Sequence, residues 1–205
     1  MDLDCGADGD TARMVMILAV TGARFGQVAR MLVSDVHHDV SRLMVPTSRK
    51  GRGNKTTERT AIPVGTDVIE ALRPAWEGRT GSSPLLERWR HRQIAPAKWE
   101  RERRGAWASA SDLRRAWARI IAIANVGSDT LPYALRHSSV VRGLRAGLPT
   151  RLVAALHDTS VGMIEAHYAA FVVDAMEEVA ARAVLPLTEP ANPIYSQRAS
   201  PRLFP

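Results

Sequence analysis

Between Pro132 and Tyr168 the chain collects the side chains best suited to chemistry on a phosphate group. Tyr133, Arg136 and His137 cluster at the start, His157 follows about twenty residues on, and Tyr168 comes eleven after that. An arginine fork holds phosphate oxygens through two parallel hydrogen bonds and stays charged at any working pH. A histidine moves protons near neutrality. A tyrosine hydroxyl is a possible nucleophile, but its ordinary pKa near 10 demands a base or nearby cations. Taken singly, each residue also has a purely structural role: Arg136 as a buried ion-pair partner, the histidines as helix-end side chains, Tyr168 as core. It is their order and spacing on helices that point to a fixed cation, a proton-transfer group and a hydroxyl nucleophile in one site.

The surrounding sequence is patterned to hold such a site. Thr11 or Asp10 caps a predicted helix to about Val20, with Met14, Ile17 and Leu18 inward, and Thr21-Gly-Ala-Arg24 breaks it. A second helix is predicted from Phe25 to Leu32. Period-two stretches at 35–38, 42–46 and 59–64 read as two or three short strands. Thr66 or Asp67 opens a helix that Pro74 should stop near Arg73, and Ser111-Asp112 caps another to Asn125, with Leu113, Trp117, Ile120, Ile121 and Ala124 buried. Leu131-Pro132 opens the helix of Arg136 and His137. Thr150 caps the next helix, which has Leu152, Val153 and Leu156 as its apolar side and places His157 at its C-terminal end, where the dipole favours a protonated ring. A last helix runs to about Val184. The fold class expected is mainly α with a small antiparallel β-sheet.

Two basic stretches stand out. Residues 48–58 form a Gly-punctuated hairpin tip whose Arg49, Lys50, Arg52 and Lys55 could enter a nucleic-acid groove or simply be solvated. Residues 75–110 interleave arginines with Trp76, Trp89, Trp99 and Trp107 at irregular spacing, which reads as a long connection with one or two short helices; the interleaving could grip a backbone or stack on bases, but the favoured reading is tryptophans packed beneath a loop. The chain's net charge is +7, with only three lysines, and its pI is about 10.4. That balance favours a polyanionic partner, most plausibly nucleic acid. One cysteine, Cys5, excludes a disulfide framework and a cysteine-rich zinc site. No apolar run is long enough for a membrane span, and the acidic start is no signal peptide, so the expected location is cytoplasmic, with nucleoid association in a bacterium.

These residues resemble the tyrosine recombinases, or phage integrases. Thr21-Gly-Ala-Arg24 with Leu32 and Asp35 is similar to the family's first arginine box. Lys50 lies at the β-hairpin position of its catalytic lysine, with Lys55 the alternative. Ala134-Leu-Arg136-His137-Ser, then His157, then Tyr168, resemble its second box. The resemblance covers residues 12–184 as a catalytic domain, between a flexible N-terminus at 1–11 and a Pro-rich tail at 185–205. It implies site-specific cutting and rejoining of double-stranded DNA through a 3'-phosphotyrosyl intermediate. Arg24 and Arg136 would clamp the phosphate, Tyr168 would attack it, Lys50 would protonate the leaving oxygen, and His157 would bond the phosphate or assist proton transfer. Tyr133 stands where the family usually has histidine, and Gln27 where it usually has a carboxylate. Arg49, Arg52, Lys55, His137 and Arg142 would contact DNA. No metal or cofactor is implied.

The resemblance also implies self-association on DNA through the C-terminal segment, and the helical core-binding domain that usually precedes this one is expected to be absent. The rival reading is a non-catalytic DNA-binding remnant of the same fold. A metal-dependent hydrolase built on His137, His157 and His167 is a third, but separations of 20 and 10 match no short ligand pattern.

Overall fold

The computed structural model describes residues 9–48, 58–182 and 184. Arg49, Lys50, Arg52 and Lys55, the first eight residues and the Pro-rich tail from 185 onward lie outside them. Helix α1 (Gly9–Thr21) buries Met14, Ile17 and Leu18 as its spacing predicts. It ends at Gly22, whose φ of +62° is one that L side chains rarely adopt. The predicted second helix is only one turn, α2 (Phe25–Val28); a 3-10 turn (Val33–Asp35) follows instead of more helix. Buried Asp35 explains the stop: it accepts from Leu32 N at 2.9 Å and pairs with Arg59, which ties this turn to a distant strand.

Strands β1 (Val36–His37), β2 (Arg42–Pro46) and β3 (Arg59–Pro63) make an antiparallel sheet in chain order. Helix α3 (Thr66–Trp76) runs through Pro74 rather than stopping before it. The 75–110 region corrects the sequence reading. It holds not short helices but a two-stranded ribbon, β4 (Glu87–Ala95) and β5 (Lys98–Ala106). Neither strand alternates cleanly between apolar and polar residues, and the turn contains no glycine, placing Ala97 at φ +61° instead. Trp107 is buried, but Trp99 is 59% exposed, so it is no part of a core beneath a loop.

A 3-10 turn capped by Ser109 (Ala110–Leu113) leads into α4 (Arg114–Ile123), which buries Trp117 and Ile121 and leaves Ala124 exposed. Helices α5 (Ala134–Arg145), α6 (Thr150–Leu156) and α7 (Val161–Arg182) complete the chain. On α6 the buried residues are Val153 and Ala154, while Leu152 is largely exposed. The larger hydrophobic core joins α1, α3, the three-stranded sheet, Trp107 and α4. A smaller one joins α5, α6 and α7 through Val140, Leu144, Val153, Ala154 and Ile164. Arg136, on α5, reaches from the smaller core to Gly22 at the end of α1 in the larger one.

Candidate active site

Arg24 stands at the start of α2, immediately after the break that Gly22 allows, and Arg136 sits in the first turn of α5. Both line a cleft of about 230 Å³ with Tyr133, His137, Thr159, Met163, His167 and Tyr168. An apolar cavity of about 360 Å³ abuts it, sharing Arg24, Tyr133 and Arg136. Residues more than a hundred apart in sequence therefore converge on one opening.

Arg136 is 5% exposed. Its Nη1 donates to Gly22 O at 2.8 Å and its Nη2 to His157 O at 2.5 Å, so it fastens the end of α1 to the end of α6. Burial pushes the guanidinium pKa down, and the neighbouring Arg24 cation pushes it the same way. Arginine nevertheless stays charged in proteins. Two adjacent guanidinium groups held by carbonyls form a site that favours an anion.

Arg24 Nη1 donates to Asp158 O at 3.1 Å and approaches the Asp158 carboxylate at 3.4 Å. That carboxylate is a junction the sequence reading missed. The same Oδ2 accepts from Gln27 Nε2 at 3.2 Å and from Ser48 N at 2.6 Å. Gln27 is 3% exposed and also donates to Pro46 O at 2.8 Å, while its Oε1 accepts from Arg24 N. Asp158 thus supplies the negative charge that position 27 lacks. It links the first arginine to Ser48, just past the end of β2. Its place directly after His157 was the one signal the sequence held.

His157 does not line the cleft. It is 6% exposed, with Nδ1 donating to Val153 O at 2.8 Å. A carbonyl can only accept, so Nδ1 carries the proton and Nε2, 3.0 Å from Ser139 Oγ, accepts from that hydroxyl in the neutral ring. Gly22 makes room for it: a Cβ there would lie 2.7 Å from the ring and from Ser139 Cβ. The expectation of a dipole-favoured imidazolium is corrected here. Burial holds the His157 pKa below its ordinary value, with Arg136 and Arg142 adding to the effect against the Val153 hydrogen bond. A depressed pKa means the unfolded chain takes up the proton first. This stabilising contribution is complete above pH about 6.5 and is lost as pH falls through the folded-state value. Thermal melting of the wild type should therefore drop between pH 7.5 and 5.5, before carboxylates titrate. His157→Gln should flatten that drop, and an equally steep fall in the variant would contradict it.

His137, expected among DNA contacts, also meets the tyrosine: its Nδ1 lies 2.6 Å from Tyr168 Oη. Its ring also packs edge-on against Tyr133, 5.0 Å between centroids. Tyr168 is half-buried at a kink in α7, with non-helical φ −131° and ψ 20° that set it apart from the helix on either side. Burial raises the Tyr168 pKa, Tyr133 raises it further, and Arg136 opposes both. The free hydroxyl is thus protonated at neutral pH and lies within hydrogen-bond reach of an imidazole nitrogen. Arg142, the other expected DNA contact on α5, donates to Ala19 O at 3.0 Å and Ser139 Oγ at 3.3 Å; it closes the end of α1 rather than lining the cleft. Among the described residues no group of three or more His, Cys, Asp or Glu could hold a metal, and no helix is long and apolar enough to cross a membrane.

A family model for the phage integrase family matches residues 6–171. Among solved structures, XerA recombinase superposes with a TM-score of 0.60 at 19% identity, over 89% of this chain and 61% of that one. The Tn1549 transposon integrase, solved in complex with circular intermediate DNA, gives a TM-score of 0.58 at 17% identity, over 84% of this chain and 59% of that one. The catalytic domain of bacteriophage HP1 integrase gives 0.51 at 16% identity, over 90% and 88%. At these identities the likeness is one of fold. The chain spans about three fifths of the length of the first two. No curated protein matches its sequence.

Proposed function

The chain belongs to the phage integrase family, and on that premise we propose that it cuts and rejoins double-stranded DNA through a 3'-phosphotyrosyl intermediate. The observation that carries this reading is the hydrogen bond between Tyr168 Oη and His137 Nδ1 in a cleft walled by Arg24 and Arg136. A scissile phosphate in that cleft accepts hydrogen bonds from both guanidinium groups, which are there before charge builds on the phosphorus oxygens. Tyr168 Oη attacks phosphorus as its proton passes to His137. The bond from phosphorus to the 5' oxygen breaks, and that oxygen leaves as a hydroxyl once Lys50 protonates it. Attack by a 5'-hydroxyl on the phosphotyrosine reverses each transfer and rejoins a strand with no outside energy source.

His157 acts in this scheme as a positioning residue. Its carbonyl and its locked ring hold Arg136 and the end of α6 in place. Tyr133 and His167 border the phosphate position from the cleft wall.

The test uses a nicked duplex whose 5' fragment diffuses away after cleavage, so that the covalent protein–DNA adduct accumulates. The wild type should form the adduct, and no adduct with binding retained would leave only the DNA-binding reading. His137→Ala should slow its formation by about 10²-fold or more, as expected on losing a general base. The deficit should narrow as pH rises towards the raised pKa of Tyr168, since solvent then removes the proton. A deficit independent of pH would assign His137 a structural role instead.

A further inference from the structure

The ribbon formed by β4 and β5 has no part in the chemistry just described, yet it concentrates charge. Its residues 87–106 hold seven Arg and Lys against three Glu, a net +4 out of +7 for the chain. Its root is neutralised and anchored: Arg88 pairs with Asp112 at 2.6 Å, Arg104 with Asp10 at 2.7 Å, and Glu87 N donates to Asp10 at 3.0 Å. The root also abuts the cleft, because Trp107, one residue past β5, packs edge-on against Phe25 next to Arg24, 6.0 Å between centroids. Beyond the root, every residue from 91 to 103 is exposed.

The register distinguishes the two faces. Trp89 pairs with Arg104, His91 with Arg101, and Gln93 with Trp99; cross-strand partners and alternate residues share a face. That face therefore presents Trp89, His91, Gln93, Trp99, Arg101 and Arg104, with Glu87 at the root. Arg101 and Arg104 both lie over the Trp89 ring, 5.6 and 5.8 Å from its centroid. Arg92 and Glu100 oppose each other on the other face, and Glu102 falls in the register shift.

Resting on the DNA reading of the cleft, we propose that this ribbon is a second DNA-contacting arm that grips duplex flanking the cut site. A two-stranded ribbon fits the major groove. Nine residues at about 3.3 Å each give a reach of roughly 30 Å, on the order of nine base-pair steps. The Trp89 face supplies cations for phosphates together with Gln, His and Trp side chains for base edges and exposed rings. Because its base is fixed beside Arg24, the arm also sets where the cleft lies on the duplex.

The test compares a short duplex covering only the cleft's own footprint with one extended by about nine base pairs on each side. The variant combines Lys98→Ala, Trp99→Ala and Arg101→Ala; its control is Lys98→Arg with Arg101→Lys, which keeps the charge. On the long duplex the triple variant should bind at least about tenfold more weakly and show a salt dependence shallower by about two phosphate contacts. On the short duplex it should match the wild type, and the charge-preserving control should match it on both. Equal affinity of the triple variant and wild type for the long duplex would overturn the proposal. So would an equal loss on both lengths, or a loss confined to protein self-association or to RNA. Adduct formation on the short nicked duplex separates the two readings. Adduct without ribbon-dependent binding sinks the arm alone, and ribbon-dependent binding without adduct sinks the recombinase reading alone.

Discussion

Tyr168→Phe should abolish the covalent adduct while leaving DNA affinity within about twofold. The substitution removes one oxygen and no charge, because the raised pKa of Tyr168 keeps the hydroxyl protonated at neutral pH in the free protein. The lost bond to His137 is a side-chain contact of a half-buried group, a cost of roughly 1 kcal/mol or less to folding. Binding and stability thus stay nearly constant while the nucleophile disappears, which makes adduct yield a clean readout. Denaturing gel electrophoresis of protein and labelled nicked DNA measures it. Adduct that persists at wild-type yield would mean another group attacks, with Tyr133, His137 and His167 the candidates lining the cleft.

Arg136→Lys should slow cleavage by about 10³-fold or more, the scale on which fixed donors and arginine forks act on developing phosphate charge. The ammonium keeps the charge but cannot hold Gly22 O and His157 O while also facing a phosphate. Leaving buried carbonyls without donors costs about 1–3 kcal/mol each, so the variant should also melt lower. The two effects separate when cleavage is measured well below the variant's melting point, with folding checked by circular dichroism. Cleavage within about tenfold of wild type under those conditions would remove Arg136 from the phosphate clamp and leave it only its structural bonds.

The expected loss at Arg136 depends on elements of unequal legibility. The helix that carries it could be read from spacing, since an apolar face repeats regardless of what it packs against. The fate of Glu87–Ala106 could not. Its two strands have no buried face to impose alternation, and an alanine rather than a glycine takes the positive φ at their turn. Proline at 74 was read as a stop, yet α3 continues through it because Ala75 is buried in the core and Trp76 packs against it. The short α2 was cut by Asp35, whose partner Arg59 is 24 residues away and invisible to any local pattern.

For the site, residue type and order were enough to nominate Arg24, Arg136, His137, His157 and Tyr168 and to assign an α+β class, because both are properties of local sequence. Which imidazole faces the tyrosine was decided only by the crossing of α5 and α7, which brings His137 to Tyr168 across 31 residues. Burial then outweighed the helix dipole at His157 and sealed its ring between Val153 and Ser139. The physical reason is common to both: a side chain's direction and solvation depend on which faces of separate elements meet, and no stretch of chain records that by itself.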